Sequence, residues 1–272
     1  MLISTVLLQS CGAEATVSNS TNLNRDKRVL IVLPEADFDP TEVSVPWSIL
    51  SERGVKISFA GPSKVSTDMA TLTGDGLGLF SFALKASPNI VPIYERMIQS
   101  KEFRERISWD AIQATDYDGV ILPGGHAPGM KSYLESVTLR HKILDFYNEG
   151  KRIAAICHGV LLLARTQNKD GRSILFGHKV TTLLKTQELS AWALTYPWLK
   201  DYYRTYPETT ENEVTRLIGG SEYFERGPIP LRRDSEDDQS AGFVVEDGPF
   251  LTARWPGDVH TFALRLAASL DL

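Results

Sequence analysis

Three short runs of uninterrupted apolar residues do most to limit what this chain can fold into: Val29-Leu30-Ile31-Val32-Leu33, Gly119-Val120-Ile121-Leu122 and, after Arg152, Ile153-Ala154-Ala155-Ile156. Each is too short for a helix and lacks polar alternation, so each reads as a strand covered on both faces. Helical patterns supply the cover at residues 43–53, ended by Gly54, at residues 136–148, closed by Gly150, and at residues 160–165. Residues 55–60 read as another strand. Such alternation implies right-handed crossovers and a parallel, doubly wound α/β sheet sandwiched by helices. Residues 243–253 read as a hairpin turning at Asp247-Gly248, and residues 258–270 as a closing helix. No internal repeat or linker divides residues 28–272, which are read as a single domain.

Two stretches exceed what this sheet needs. Residues 62–115 hold Gly74-Asp75-Gly76-Leu77-Gly78 and a charged helix over 94–107, and residues 187–223 hold Trp192, Trp198, Tyr202, Tyr203, Arg204 and Tyr206. Long insertions on the loop side of an α/β sheet serve as lids or subunit contacts. The glycine run is not a phosphate loop, because no strand feeds it and no Lys-Ser/Thr follows. Aromatics at this density read as core or interface.

The 272 residues carry a net charge of -5, which provides no basic footprint and excludes nucleic acid as the expected partner. The mixed run Arg232-Arg233-Asp234-Ser235-Glu236-Asp237-Asp238 reads as a solvated loop. No segment is long and apolar enough to span a membrane. Cys11 and Cys157 are the two cysteines, too few for a disulfide framework or a structural zinc site. The five histidines stand singly, so neither a metal nor a cofactor is expected. Residues 1–27 read as a tail. Leu8-Gln9-Ser10-Cys11 resembles a lipoprotein cleavage site, although the apolar stretch before it is short and has no Lys or Arg ahead of it. A cytoplasmic protein is the expectation, with a lipoprotein anchored through Cys11 as the alternative.

Cys157 ends a strand and passes through Gly159 directly into a helix. A strand-to-helix elbow of this kind pushes the sulfur out of the sheet toward the first free amides of the helix, which favours thiolate and nucleophilic chemistry. His158 adjoins it, and the glycine turn Pro123-Gly124-Gly125-His126 closes the strand before it, so two loops of one sheet edge can converge. Glu42 has two readings of equal weight. Asp39, Pro40 and Glu42 make a complete helix start, and a desolvated Glu42 beside the thiol, if the first and fourth strands are neighbours, is a proton shuttle.

These pieces together resemble the ThiJ/PfpI family of the class I glutamine amidotransferase-like superfamily, over about residues 28–270. The carriers are Glu42-Val43-Ser44-Val45-Pro46, Asp118-Gly119-Val120-Ile121-Leu122-Pro123-Gly124-Gly125-His126 and Ala154-Ala155-Ile156-Cys157-His158-Gly159, each following a strand. The resemblance implies a flavodoxin-like sandwich and a homodimer. It implies Cys157 as nucleophile, Glu42 touching its sulfur, and the amides of Gly125 and His158 as oxyanion donors. Gly124 and His126 complete the expected pocket, with Arg254, which leaves a late strand, binding a substrate carboxylate or pairing with Asp258. Thr181-Thr182-Leu183-Leu184-Lys185-Thr186-Gln187-Glu188 matches the family strand that ends in an acid, which makes Glu188 the candidate to orient His158, or a compensating charge at a helix N-terminus. The only late histidine, His260, lacks the His-x-Glu of glutamine amidotransferases. The activity implied is glutathione-independent conversion of small reactive carbonyls, methylglyoxal to lactate, through a hemithioacetal on Cys157. The alternatives are a cysteine amidase or peptidase and a redox-sensing stress chaperone.

Overall fold

A computed structural model describes residues 26–75 and 77–271, so the readings that rest on Cys11 and the residues around it lie outside the described residues. The strands are β1 (Arg28–Val32), β2 (Lys56–Ala60), β3 (Gly119–Leu122), β4 (Arg152–Ile156), β5 (Val244–Asp247) and β6 (Phe250–Ala253). They form one sheet in the order β2-β1-β3-β4-β6-β5. All pairings are parallel except β5 with β6, the hairpin at the edge. The three apolar runs are its central strands, and Val29, Leu30, Ile31, Val32, Val120, Ile121, Leu122 and Ile153 to Ile156 have no exposed surface. Each fully buried Val, Leu or Ile contributes about 1.5–3 kcal/mol to folding, which fixes these strands in the middle.

Helices Pro40–Glu52 and Val259–Ser269 pack together on the sheet, and Val137–Asn148 and Gly159–Arg165 also pack against one another. Asp39 caps the first of these, accepting from the amides of Thr41 and Glu42 at 2.8 and 3.2 Å, and Pro40 takes its first position. Two expected elements differ. The helix over 94–107 is Ile90–Gln99 followed by Lys101–Arg104, because Ser100 turns extended (ψ 154°) and its hydroxyl caps the second piece at the Phe103 amide. Residues 181–184 make no strand. The Thr181 amide donates to Thr252 Oγ1 and the Thr182 hydroxyl to the Cys157 carbonyl, so side chains take the place of a ladder, and Glu188 falls in the first turn of helix Lys185–Leu199.

The two insertions meet above the carboxyl edge of the sheet. Leu77, Ala127 and Tyr203 form a small buried cluster there, and Gly78 lies so close to Trp198 that a Cβ would enter the indole. The Tyr203 hydroxyl donates to Asp68 at 2.9 Å, tying one insertion to the other. The acidic-basic run is not wholly solvated: Asp234 is buried and accepts from the amides of His260 and Thr261, and Arg233 is half-buried over the Trp255 ring.

Candidate active site

Cys157 has φ +56°, the left-handed region that a side chain rarely adopts. Its amide donates to the Ala253 carbonyl at 3.1 Å and its carbonyl accepts from Thr182 at 2.7 Å, which holds the turn on both sides. Two glycines let the neighbouring loop close on it. A Cβ on Gly159 would strike the Leu122 carbonyl, and one on Gly124 would stand 2.7 Å from the His158 nitrogen and 2.9 Å from Cys157 Cβ. The His158 amide, at the start of helix Gly159–Arg165, lies next to the sulfur and pulls the thiol's pKa down against the effect of burial.

Glu42 reaches Cys157 although β3 separates β1 from β4, so the two are not adjacent strands as the shuttle reading supposed. The loop after β3 bridges the gap: the Gly124 amide donates to Glu42 Oε2 at 2.7 Å, and a Cβ on Gly124 would touch both that oxygen and Cys157 Cβ, so the carboxyl sits beside the thiol. Glu42 is fully buried, and its Oε1 has no hydrogen-bond partner among the described residues. Burial pushes its pKa well above the usual carboxylate range, and the charge of Asp39 adds to the shift. Asp39 itself is raised to about 6 by burial. The thiol of Cys157 also moves up, through burial and then the charge of Glu42, against the expectation that helix amides would leave a thiolate. With 4 % of its surface exposed, the desolvation of the sulfur outweighs the contribution of a seven-residue helix. Two coupled groups, both raised, hold at least one proton between them at neutral pH.

His158 Nδ1 lies 3.5 Å from the sulfur. Its ring is 5.1 Å from that of His126, which in turn is 5.2 Å from Tyr203. Burial depresses both histidines, His158 well below its usual range and His126 to about 4, so both are neutral. Histidines that stand singly in the sequence thus pair in space. Glu188 joins them, with the ligand atoms of His126, His158 and Glu188 all within 4.8 Å of one another. A cation there would have to compete with the existing partners of Glu188, which accepts from the Thr210 amide at 2.8 Å and from Arg204 at 3.3 Å. The guanidinium of Arg204 opposes a second positive charge.

Cys157, Glu42, Gly125 and His126 line a cavity of about 520 Å³ that opens between the two insertions. Arg254 does not reach it. It is fully buried, makes two 2.8 Å bonds to Asp258 and donates to the Pro228 carbonyl, so it holds the loop while its neighbours Trp255 and Pro256 line the cavity. Of the remaining histidines His141 is exposed, while His178 is half-buried against Asp247 and His260 against Asp234. Among the lining residues, three with polar groups have other roles in the sequence reading. Tyr203 was read as core or interface, Arg233 as solvated loop, and Asp39 as a cap alone. Their only sequence signal was membership of an aromatic run, a charge run and a capping box, none of which specifies a long-range contact.

Comparison with known proteins agrees with the geometry. The model of the ThiJ/PfpI family-like group matches residues 33–217. The DJ-1 homolog D protein of Arabidopsis thaliana is 28% identical over 148 residues, 54% of this chain, and the chain spans 34% of that relative. A deglycase of Pyrococcus horikoshii is 25% identical over 147 residues, 53% of this chain and 68% of the relative. The crystal structure of glyoxalase III from Candida albicans superposes with a TM-score of 0.65 at 18% identity, covering 89% of this chain and 97% of that one, a likeness of fold. A matched stretch that takes in Glu42, the glycine loop and the cysteine elbow makes this chain a member of the ThiJ/PfpI family.

Proposed function

We propose that the protein is a cysteine-dependent enzyme that acts on small reactive carbonyls without glutathione, converting methylglyoxal to lactate. The observation that carries this reading is the fully buried Glu42 carboxyl held beside Cys157 at the elbow by the Gly124 amide. Relatives named as deglycases support it. Glu42 is the stronger proton carrier of the site, because its raised pKa makes its carboxylate a better base than a depressed, neutral His158. The carboxylate takes the thiol proton as the sulfur bonds to the aldehyde carbon, and the protonated carboxyl returns that proton to the oxygen, giving a hemithioacetal. The amides of Gly125 and His158 hold the transient oxyanion. Glu42 then removes the proton from that carbon and delivers it to the neighbouring carbonyl carbon, while the hydroxyl proton of the first carbon passes to the oxygen of the second. The first carbon is thereby oxidised to a thioester and the second reduced to an alcohol. Water, activated by His158 with Glu188 as its orienting acid, cleaves the thioester to lactate and restores the thiol.

The test is lactate formation from methylglyoxal without glutathione by the wild type, Cys157→Ala and Glu42→Gln. The expected result is turnover lost in both variants. Wild-type turnover no greater than that of Cys157→Ala overturns the reading. The same thiol, carboxyl and amide donors also suit acyl transfer, and the open mouth of the cavity between exposed Phe82 and Leu231 keeps a cysteine amidase or peptidase as the second reading. Release of ammonia or a peptide fragment, dependent on Cys157, distinguishes it.

A further inference from the structure

The cavity above Cys157 is larger and more apolar than a three-carbon aldehyde requires. Methylglyoxal has five heavy atoms, on the order of 100 Å³ on the scale of ~30 Å³ per liquid water. The cavity is about 520 Å³. Its shape follows from one helix. Gln187, Ser190, Ala191 and Leu194 all line it, and they recur at the spacing of a single helical face on Lys185–Leu199. Glu188 places the start of that helix beside His158, so the face runs outward from the reacting end for about 10 Å at 1.5 Å per residue. Along it the chemistry changes from polar, at Gln187 and Ser190, to apolar, at Ala191 and Leu194. Leu183, Leu231 and Trp255 continue the apolar wall. A polar floor with one reactive thiol under an elongated apolar wall matches an amphipathic ligand, carbonyl end down.

On this basis, and resting on the carbonyl chemistry proposed above, we infer that the preferred substrate is a 2-oxoaldehyde bearing an apolar substituent of about six carbons, alkyl or aryl. Methylglyoxal would occupy only the floor. Each methylene withdrawn from water against the wall raises kcat/KM by about fourfold in the limit of full burial. A six-carbon tail with partial burial is expected to give at least about tenfold over methylglyoxal.

Two measurements test this on the full chain. The first compares kcat/KM for methylglyoxal, 2-oxooctanal and phenylglyoxal in the wild type and in Leu194→Arg. The expected result is at least about tenfold preference for the longer substrates, with Leu194→Arg lowering the 2-oxooctanal value far more than the methylglyoxal value. The second needs no turnover. Cys157 is alkylated with chloroacetone or 1-chloro-2-octanone, each rate divided by that for a free thiol in solution. In this step a C–S bond forms, the C–Cl bond breaks, chloride leaves with its electron pair and the thiol proton passes to Glu42. A normalised rate that rises with the octanone supports the apolar tail site even where no oxoaldehyde is turned over, an outcome that sinks the proposed activity and the oxoaldehyde head group with it. A normalised rate that is flat or falls with chain length overturns the inference, whatever the methylglyoxal activity.

Discussion

Cys157 and Glu42 set each other's behaviour. Both are buried and both are raised, and the charge of Glu42 adds to the rise of the thiol, so the thiol rests protonated and is unmasked only when its proton has a destination. Replacing Glu42 with Gln separates the two roles of the carboxyl. The amide oxygen still accepts from Gly124, but it carries neither charge nor proton. Turnover is expected to fall by about 10²–10⁴, the usual contribution of a general acid-base group. The thiol, relieved of a neighbouring negative charge, is expected to titrate lower and to react faster with iodoacetamide at neutral pH. Alkylation rates across pH, with turnover measured on the same samples, check this; slower alkylation together with slower turnover would mean that Glu42 activates the sulfur instead. A protonated, enclosed thiol also argues against a peroxide-sensing role, since oxidation follows thiolate character and exposure. Cys157 and His158 are legible in the sequence because the turn chemistry of the elbow marks them, whereas Glu42 is reached through the family resemblance, since its place in a helix start accounts for it locally. Arg254 is not legible, because pairing with Asp258 and binding a substrate use the same guanidinium, and only the position of the loop decides between them.

At the scale of elements, the site depends on how closely two loops approach. Gly124→Ala would bring a Cβ to 2.7 Å from the His158 nitrogen and 3.0 Å from Glu42 Oε2, against backbone and a buried carboxyl that have little room to move. The expected outcome is a destabilisation of about 1–3 kcal/mol by urea unfolding, the range for overpacking. Activity is expected to fall further than that loss explains, because the Gly124–Glu42 hydrogen bond is displaced with the loop. Full activity in Gly124→Ala would show that the loop approaches less closely than this. The sheet was readable because buried strands, helix ends and the Asp247-Gly248 turn each carry a local signature. The acid-bearing strand at residues 181–188 was misread because Thr181 and Thr182 are good strand residues that spend their hydrogen bonds on Thr252 and Cys157 instead. The break at Ser100 was hidden in the same way, by a charged periodicity that continues across a capping serine.

Across the whole molecule, the buried ionisable groups around the cavity divide into two sets with opposite pH signatures. Asp39, Glu42 and Asp68 are raised by burial, while His126 and His158 are depressed by it. For Asp39 the native state binds its proton more tightly than the unfolded chain. Its stabilising effect is therefore fully present below the unfolded value of 3.8 and is lost as pH rises through about 6. For His126 the unfolded chain takes up a proton below 6.5 that the native state refuses down to about 4, so stability falls as pH falls through that window. The two slopes oppose each other over nearly the same range, and the wild-type stability is expected to change little there. Asp39→Asn should expose the imbalance. Asn is an equally good helix cap, so the amides of Thr41 and Glu42 keep an acceptor, but the buried charge is gone. At about pH 7.5 the variant should be more stable than the wild type by up to about 3 kcal/mol, the free energy of a two-unit shift. That gain should vanish by about pH 4, leaving a variant that loses stability on acidification where the wild type does not. His126→Gln should tilt the other way, and urea unfolding of all three proteins from about pH 4 to 8 measures both slopes. A gain in Asp39→Asn that is constant across pH would mean that Asp39 releases its proton at the same pH in the native and unfolded chains, and that burial does not shift it.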